Sequence, residues 1–113
     1  MGKIEITKKV LGICATNCYT VVDTETKEAL IIDPADRADV LIRDWKDKGV
    51  TPTTVLLTHG HFDHIGALAG VKKEYPEIRV YAAAEEKEVM ESPALNLSSS
   101  FGAAFTAQAD IYL

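Results

Sequence analysis

"TVLLTHGHFDHIGALAG", from Thr54 to Gly70, decides how this chain is read. An apolar, β-branched run leads into His59, His61, Asp63 and His64, spaced H-x-H-x-D-H, and these three imidazoles are all the histidines in 113 residues. The run before them predicts a strand, and its consecutive Val55, Leu56 and Leu57 predict one covered on both faces. "IGALAGVKKEYP" (65–76) predicts a helix that ends at Pro76. A sharp turn at the C-terminal end of a strand is where α/β folds place functional groups. Neutral imidazole and carboxylate are good zinc ligands. Gly60 keeps one intervening position narrow, and Gly66 lets the backbone turn away. Packing explains such a cluster poorly, because crowded imidazoles repel when protonated and cost free energy when buried unpaired. A solvated loop or a core histidine would account for one isolated His. Residue type, spacing and the strand–turn–helix setting together favour a metal site here.

The remaining chain predicts an alternation of strands and helices. Lys3–Val10 alternates with Ile4, Ile6 and Lys8 on one side. "CYTVVD" (18–23) and "EALIID" (28–33), joined by the polar "TETK", predict a hairpin. Asp33-Pro34 ends the second of these strands, with proline suited to a helix start. "ADRADVLIRDWKDKGV" (35–50) predicts an amphipathic helix that shares Ala38, Leu41 and Trp45 on one face and stops at Gly49. Trp45 is read as a core anchor rather than a ligand contact. "IRVYAAA" (78–84) predicts another strand, "AAEEKEVMES" (83–92) a helix stopped by Pro93, and "SPALNLSSSFGAAF" (92–105) a loop. "ADIYL" (109–113) reads as the start of a strand. The whole is an α/β or α+β layered domain spanning 1–113, with no internal repeat and no linker.

Composition narrows the partners. A net charge of −5 argues against nucleic acid or an anionic membrane surface, and no apolar run approaches the ~20 residues of a membrane span. "MGKIEITKKV" lacks the apolar block of a signal peptide, so a cytoplasmic location is expected. Cys14 and Cys18 are four apart. A lone C-x3-C lacks the second pair of a structural zinc site, so two buried thiols are expected rather than a metal pair or a disulfide. Asn96-Leu97-Ser98 is formally a glycosylation acceptor without supporting context.

"THGHFDHIGA" resembles the signature of the metallo-β-lactamase-fold hydrolases, and the surrounding chain resembles their glyoxalase II-like (hydroxyacylglutathione hydrolase-like) branch. "TNCYTVVD", "EALIIDP" and "NLSSSFG" carry the resemblance beyond the histidine turn. It implies half of an αββα sandwich, a mixed sheet with helices on one face, and the N-terminal portion of a longer domain. It implies that His59 and His61 hold one zinc ion and that Asp63 and His64 hold a second, with Asp63 in the catalytic machinery. Asp33 would orient the ligands by a hydrogen bond from beneath; capping the following helix is the competing reading. The implied reaction is hydrolysis of a thioester or ester of a small acyl compound by metal-activated water. The family draws further ligands from downstream, yet no histidine follows His64 and Asp110 is the only later aspartate. A partial site, with weak or no activity for this chain alone, is therefore expected. A noncatalytic metal-binding or interaction module is the alternative, and assembly with a second chain that supplies ligands is a third reading. An uncovered sheet face further predicts a homodimer, with residues 101–113 its most exchangeable segment.

Overall fold

The computed structural model describes residues 3–11, 16–58, 65–92, 96 and 109–113. Its frame is a six-stranded sheet in simple sequential order: β1 (Ile4–Leu11), β2 (Thr16–Asp23), β3 (Glu28–Ile32), β4 (Thr51–Leu57), β5 (Arg79–Ala82) and β6 (Ile111–Tyr112). β1, β2 and β3 form an antiparallel meander, and β3 through β6 run parallel. The polar 24–27 segment turns between β2 and β3 because Asp23 Oδ1 accepts the N–H groups of Glu25 (2.9 Å) and Thr26 (3.3 Å). Parallel neighbours need crossovers, and helices supply them: α1 (Ala38–Asp47) between β3 and β4, and α2 (Leu68–Glu74) between β4 and β5. A 3-10 turn (Ala84–Glu86) runs into α3 (Lys87–Glu91) after β5. The mixed sheet of an α/β domain, expected from the sequence, is what the chain forms.

The two faces of the sheet differ sharply. On one, Cys18, Thr20, Val22, Ile31, Val55 and Val80 are buried beneath α1 and α2, which contribute Leu41, Trp45, Leu68 and Val71 to the same core. Trp45 is 0% exposed, its Nε1–H donates to Thr20 Oγ1 (3.3 Å), and its ring meets Tyr75 edge-on at 6.0 Å. Its reading as a core anchor holds. On the other face, no described residue is buried. Register lines that face into two rows of mostly apolar side chains. One runs Ile6, Val21, Leu30, Thr54, Arg79; the next runs Lys8, Tyr19, Ile32, Leu56, Tyr81.

Two expectations need correction. Among the described residues, β4 is covered on one face only: Pro52, Val55 and Leu57 are buried, whereas Leu56 turns to the open side and is half-buried. The register of β4 against β3 also shifts between Ala29 and Leu30, so Thr53 is an extra residue and the alternation restarts at Thr54. The first helix starts at Ala38 rather than Pro34. Asp33 and Arg37 both have positive φ (53° and 56°), which a helix cannot accommodate. Residues 33–37 instead cross the end of the sheet, with Asp33, Pro34 and Ala35 buried. Gly49 at φ 67° ends the helix as expected.

Candidate metal centre

The site is framed by the C-terminal ends of β3 and β4, which are parallel neighbours. Asp33 follows β3 and Thr58 follows β4. The Asp33 N–H continues the ladder to Leu56 O at 3.1 Å. Its side chain then turns across to the neighbouring strand. Oδ1 accepts the Thr58 N–H at 2.7 Å, and Oδ2 accepts the Thr58 hydroxyl. Asp33 is 4% exposed, so these bonds act where water competes little. Asp33 does not cap α1: the residue before that helix is Arg37, and no side chain caps it.

Pro34 completes the frame. Its carbonyl accepts the Ala67 N–H at 2.9 Å, and Ile65 beside it is 1% exposed. The dipeptide Asp33-Pro34 thus fastens both flanks of the 59–64 segment, Thr58 on one side and Ala67 on the other. Asp33 keeps the left-handed φ that this requires. Such a backbone costs on the order of 1–3 kcal/mol in a non-glycine residue, least in Asp or Asn, and persists only where surroundings hold it. His59, His61, Asp63 and His64 themselves lie outside the described residues, as do Cys14 and most of the 92–105 loop. Among the described residues, no group of three or more His, Cys, Asp or Glu side chains could hold a metal ion.

Cys18 sits on the buried face of β2, 1% exposed. Burial, aided by the Asp33 carboxylate, pushes its thiol up to about 12. A thiol so held is protonated at neutral pH, which suits packing and not metal ligation. Asp110 is likewise engaged elsewhere. Its Oδ2 accepts the Val80 N–H at 2.8 Å and its carboxylate pairs with Lys72, at the level of Val55 rather than at the strand ends. Sequence reasoning singled out Asp33 but not its contact with Thr58 or the Pro34 contact with Ala67, because both join residues far apart in the chain.

The chain has counterparts among known proteins. Residues 11–111 match the metallo-beta-lactamase superfamily. The chain belongs to that superfamily. It is 37% identical over 86 residues to the probable metallo-hydrolase YqgX of Bacillus subtilis, covering 76% of this chain and 39% of that protein. It is 39% identical over 61 residues to the hydroxyacylglutathione hydrolase of Photorhabdus laumondii, covering 54% of this chain and 24% of that one. Among solved structures, the BLEG-1 B3 metallo-beta-lactamase superposes with a TM-score of 0.87 at 40% identity, over 96% of this chain and 53% of that one. TTHA1623, in a di-iron-bound form, superposes with a TM-score of 0.77 at 28% identity, over 95% and 53%. The superfamily chain described here thus spans about half, or less, of the proteins it matches. Metal-dependent hydrolase chemistry belongs to this superfamily, and no helix among the described residues is long and apolar enough to cross a membrane.

Proposed function

We propose that this chain carries the first half of a zinc site that hydrolyses a thioester or related ester of a small acyl compound. The observation behind this reading is the frame around the histidine turn. Asp33 and Pro34 fasten Thr58 and Ala67, the flanks of the segment that holds every histidine in the chain. A frame that tight around a segment so rich in donors suits ligands that must converge. Likeness to a hydroxyacylglutathione hydrolase supports the thioester substrate class. Three imidazoles and a carboxylate are a donor set that zinc accepts.

His59 and His61 would hold one ion, and Asp63 with His64 a second. Bound there, the metal would polarise a carbonyl and lower the pKa of water toward neutrality. Asp63 would serve the reaction as a ligand of the second ion, and Asp33 would act by holding Thr58 in place. Within these 113 residues no histidine follows His64, and Asp110 is tied to Val80 and Lys72. That engagement favours the second reading for the chain in isolation: a metal-binding module with little or no turnover, unless another polypeptide supplies ligands.

Metal titration of the 113-residue chain, run beside a thioester hydrolysis assay, tests both readings. Weak zinc binding is expected, with His59→Ala and His61→Ala losing more affinity than His64→Ala. Two tightly held zinc ions per monomer would contradict the partial site. No detectable zinc binding, or binding unchanged in all three variants, would sink the metal assignment altogether.

A further inference from the structure

We propose that the cavity between the β1–β2 pair and the C-terminal half of α1 binds a small monocarboxylate whose apolar body carries an acceptor oxygen. The cavity holds about 240 Å³. Sites for drug-sized ligands run to about 300–1,000 Å³, so this one suits a smaller molecule. Everything around it comes from residues 5–50. It lies on the helix-covered face, at the hairpin end of the sheet. The histidine turn belongs to the opposite end, where β3 and β4 finish. The cavity is therefore separate from both the candidate metal centre and the open face of the sheet.

Its floor asks for an acceptor. Thr20 is 7% exposed, and its Oγ1 already accepts the Trp45 Nε1–H at 3.3 Å. The hydroxyl's own proton has no acceptor among the described residues. A buried O–H left so is costly, and a ligand oxygen would satisfy it. Thr7 stands opposite Thr20 in the ladder and adds a second hydroxyl. Val22, Val50 and the Trp45 ring supply the apolar wall. Inorganic phosphate would leave that wall unused.

The mouth asks for one negative charge. Lys27 and Lys48 both line it. Lys48 is shared with Asp44 at 3.2 Å, whereas Lys27 enters no ion pair among the described residues. Glu5 lies at the same mouth and opposes a second negative charge on the ligand. Lys27 also holds a φ of 64°, a backbone that favours glycine. Its N–H donates to Asp23 O at 2.8 Å, and its carbonyl accepts the Thr51 N–H at 2.9 Å. The ammonium is thus carried on a pinned turn, and strain of this kind gathers where a side chain has a task.

Titration of the metal-free, ¹⁵N-labelled chain with 4-oxopentanoate tests the proposal. Its carboxylate would meet Lys27, and its keto oxygen would meet Thr20. The indole N–H of Trp45, the only tryptophan, reports the site by NMR. A saturating shift with a dissociation constant of about 1 mM is expected for so small a ligand. Lys27→Asn keeps a residue that tolerates the positive φ and should weaken binding at least ~10-fold, with circular dichroism unchanged. Lys73→Gln, an exposed site on α2, should leave it as it was. Pentanoate, which lacks the keto oxygen, should bind at least ~3-fold more weakly. No saturation by about 20 mM, or equal binding by Lys27→Asn, would overturn the site. Equal affinity for uncharged 2-pentanone or for inorganic phosphate would overturn the ligand class. Equal affinity for pentanoate would overturn the part given to Thr20. No histidine or metal enters the measurement, so its outcome is independent of the zinc reading.

Discussion

At the scale of one residue, Asp33 ties the ends of two parallel strands together. Its carboxylate satisfies two donors of Thr58, and its backbone holds a φ of 53° just before a proline. Asn tolerates that backbone and can still accept one bond, so Asp33→Asn removes charge while keeping shape. We expect Asp33→Asn to lower zinc affinity about 10–100-fold if the carboxylate positions the turn, read by chelator competition. Asp33→Ala should in addition lose about 1–3 kcal/mol of stability in denaturant unfolding. An Asp33→Asn chain with undiminished zinc affinity would separate the residue from the site. Cys18 makes a second prediction at this scale. Its folded value near 12 lies above the 9.0 of a free thiol. Between those values the unfolded chain releases the proton and the folded chain keeps it. The contribution is therefore lost as pH rises from about 9 toward 12, and stability falls over that window. In the folded protein at pH 8, Cys18 should resist iodoacetamide until denaturant is added, as peptide mass mapping would show. The sequence identified Asp33 as a strand-end acid and Cys18 as a buried thiol. It could not show the left-handed turn or the Thr58 contact, because both arise from the parallel pairing of strands 25 residues apart.

At the scale of elements, α1 and α2 meet through a close approach at Gly70. A Cβ built there would stand 2.6 Å from the Ala38 Cβ, a separation that forces one helix to move. Gly70→Ala should therefore cost about 1–3 kcal/mol, seen as a lower unfolding midpoint. Combining it with Ala38→Gly should return part of that loss, less the helix penalty of a second glycine. If Gly70→Ala were as stable as the parent, the helices would pack less tightly than described. The amphipathic spacing of Ala38, Leu41 and Trp45 made the face of α1 legible from the sequence. Its start was not, because Asp33-Pro34 has the chemistry of a helix entry and is used instead to cross the sheet. The "VLL" of β4 misled for a different reason. Consecutive apolar residues imply two covered faces, and in this fold the second cover is not made by the described residues of the same chain.

At the scale of the whole molecule, the sequence announced the superfamily chiefly through the spacing of His59, His61, Asp63 and His64, and the sheet through its alternation. The imbalance between the faces, one packed under helices and the other half-exposed, was legible only through the resemblance to half of a sandwich, since periodicity reports which residues are apolar and not what covers them. The sequential strand order adds something else. It leaves β1 as a border strand of eight residues, paired only on its β2 side among the described residues. A border of that length, with Ile4, Ile6 and Val10 beside free peptide groups, is a template on which another chain could extend the ladder without limit. Lys3, Lys8 and Lys9 line the same border, Lys9 drawn toward Asp44 at 3.9 Å. An identical border approaching side by side would bring these ammonium groups together, and desolvating them has no compensation. The lysines thus act as gatekeepers against fibrillar growth from the rim.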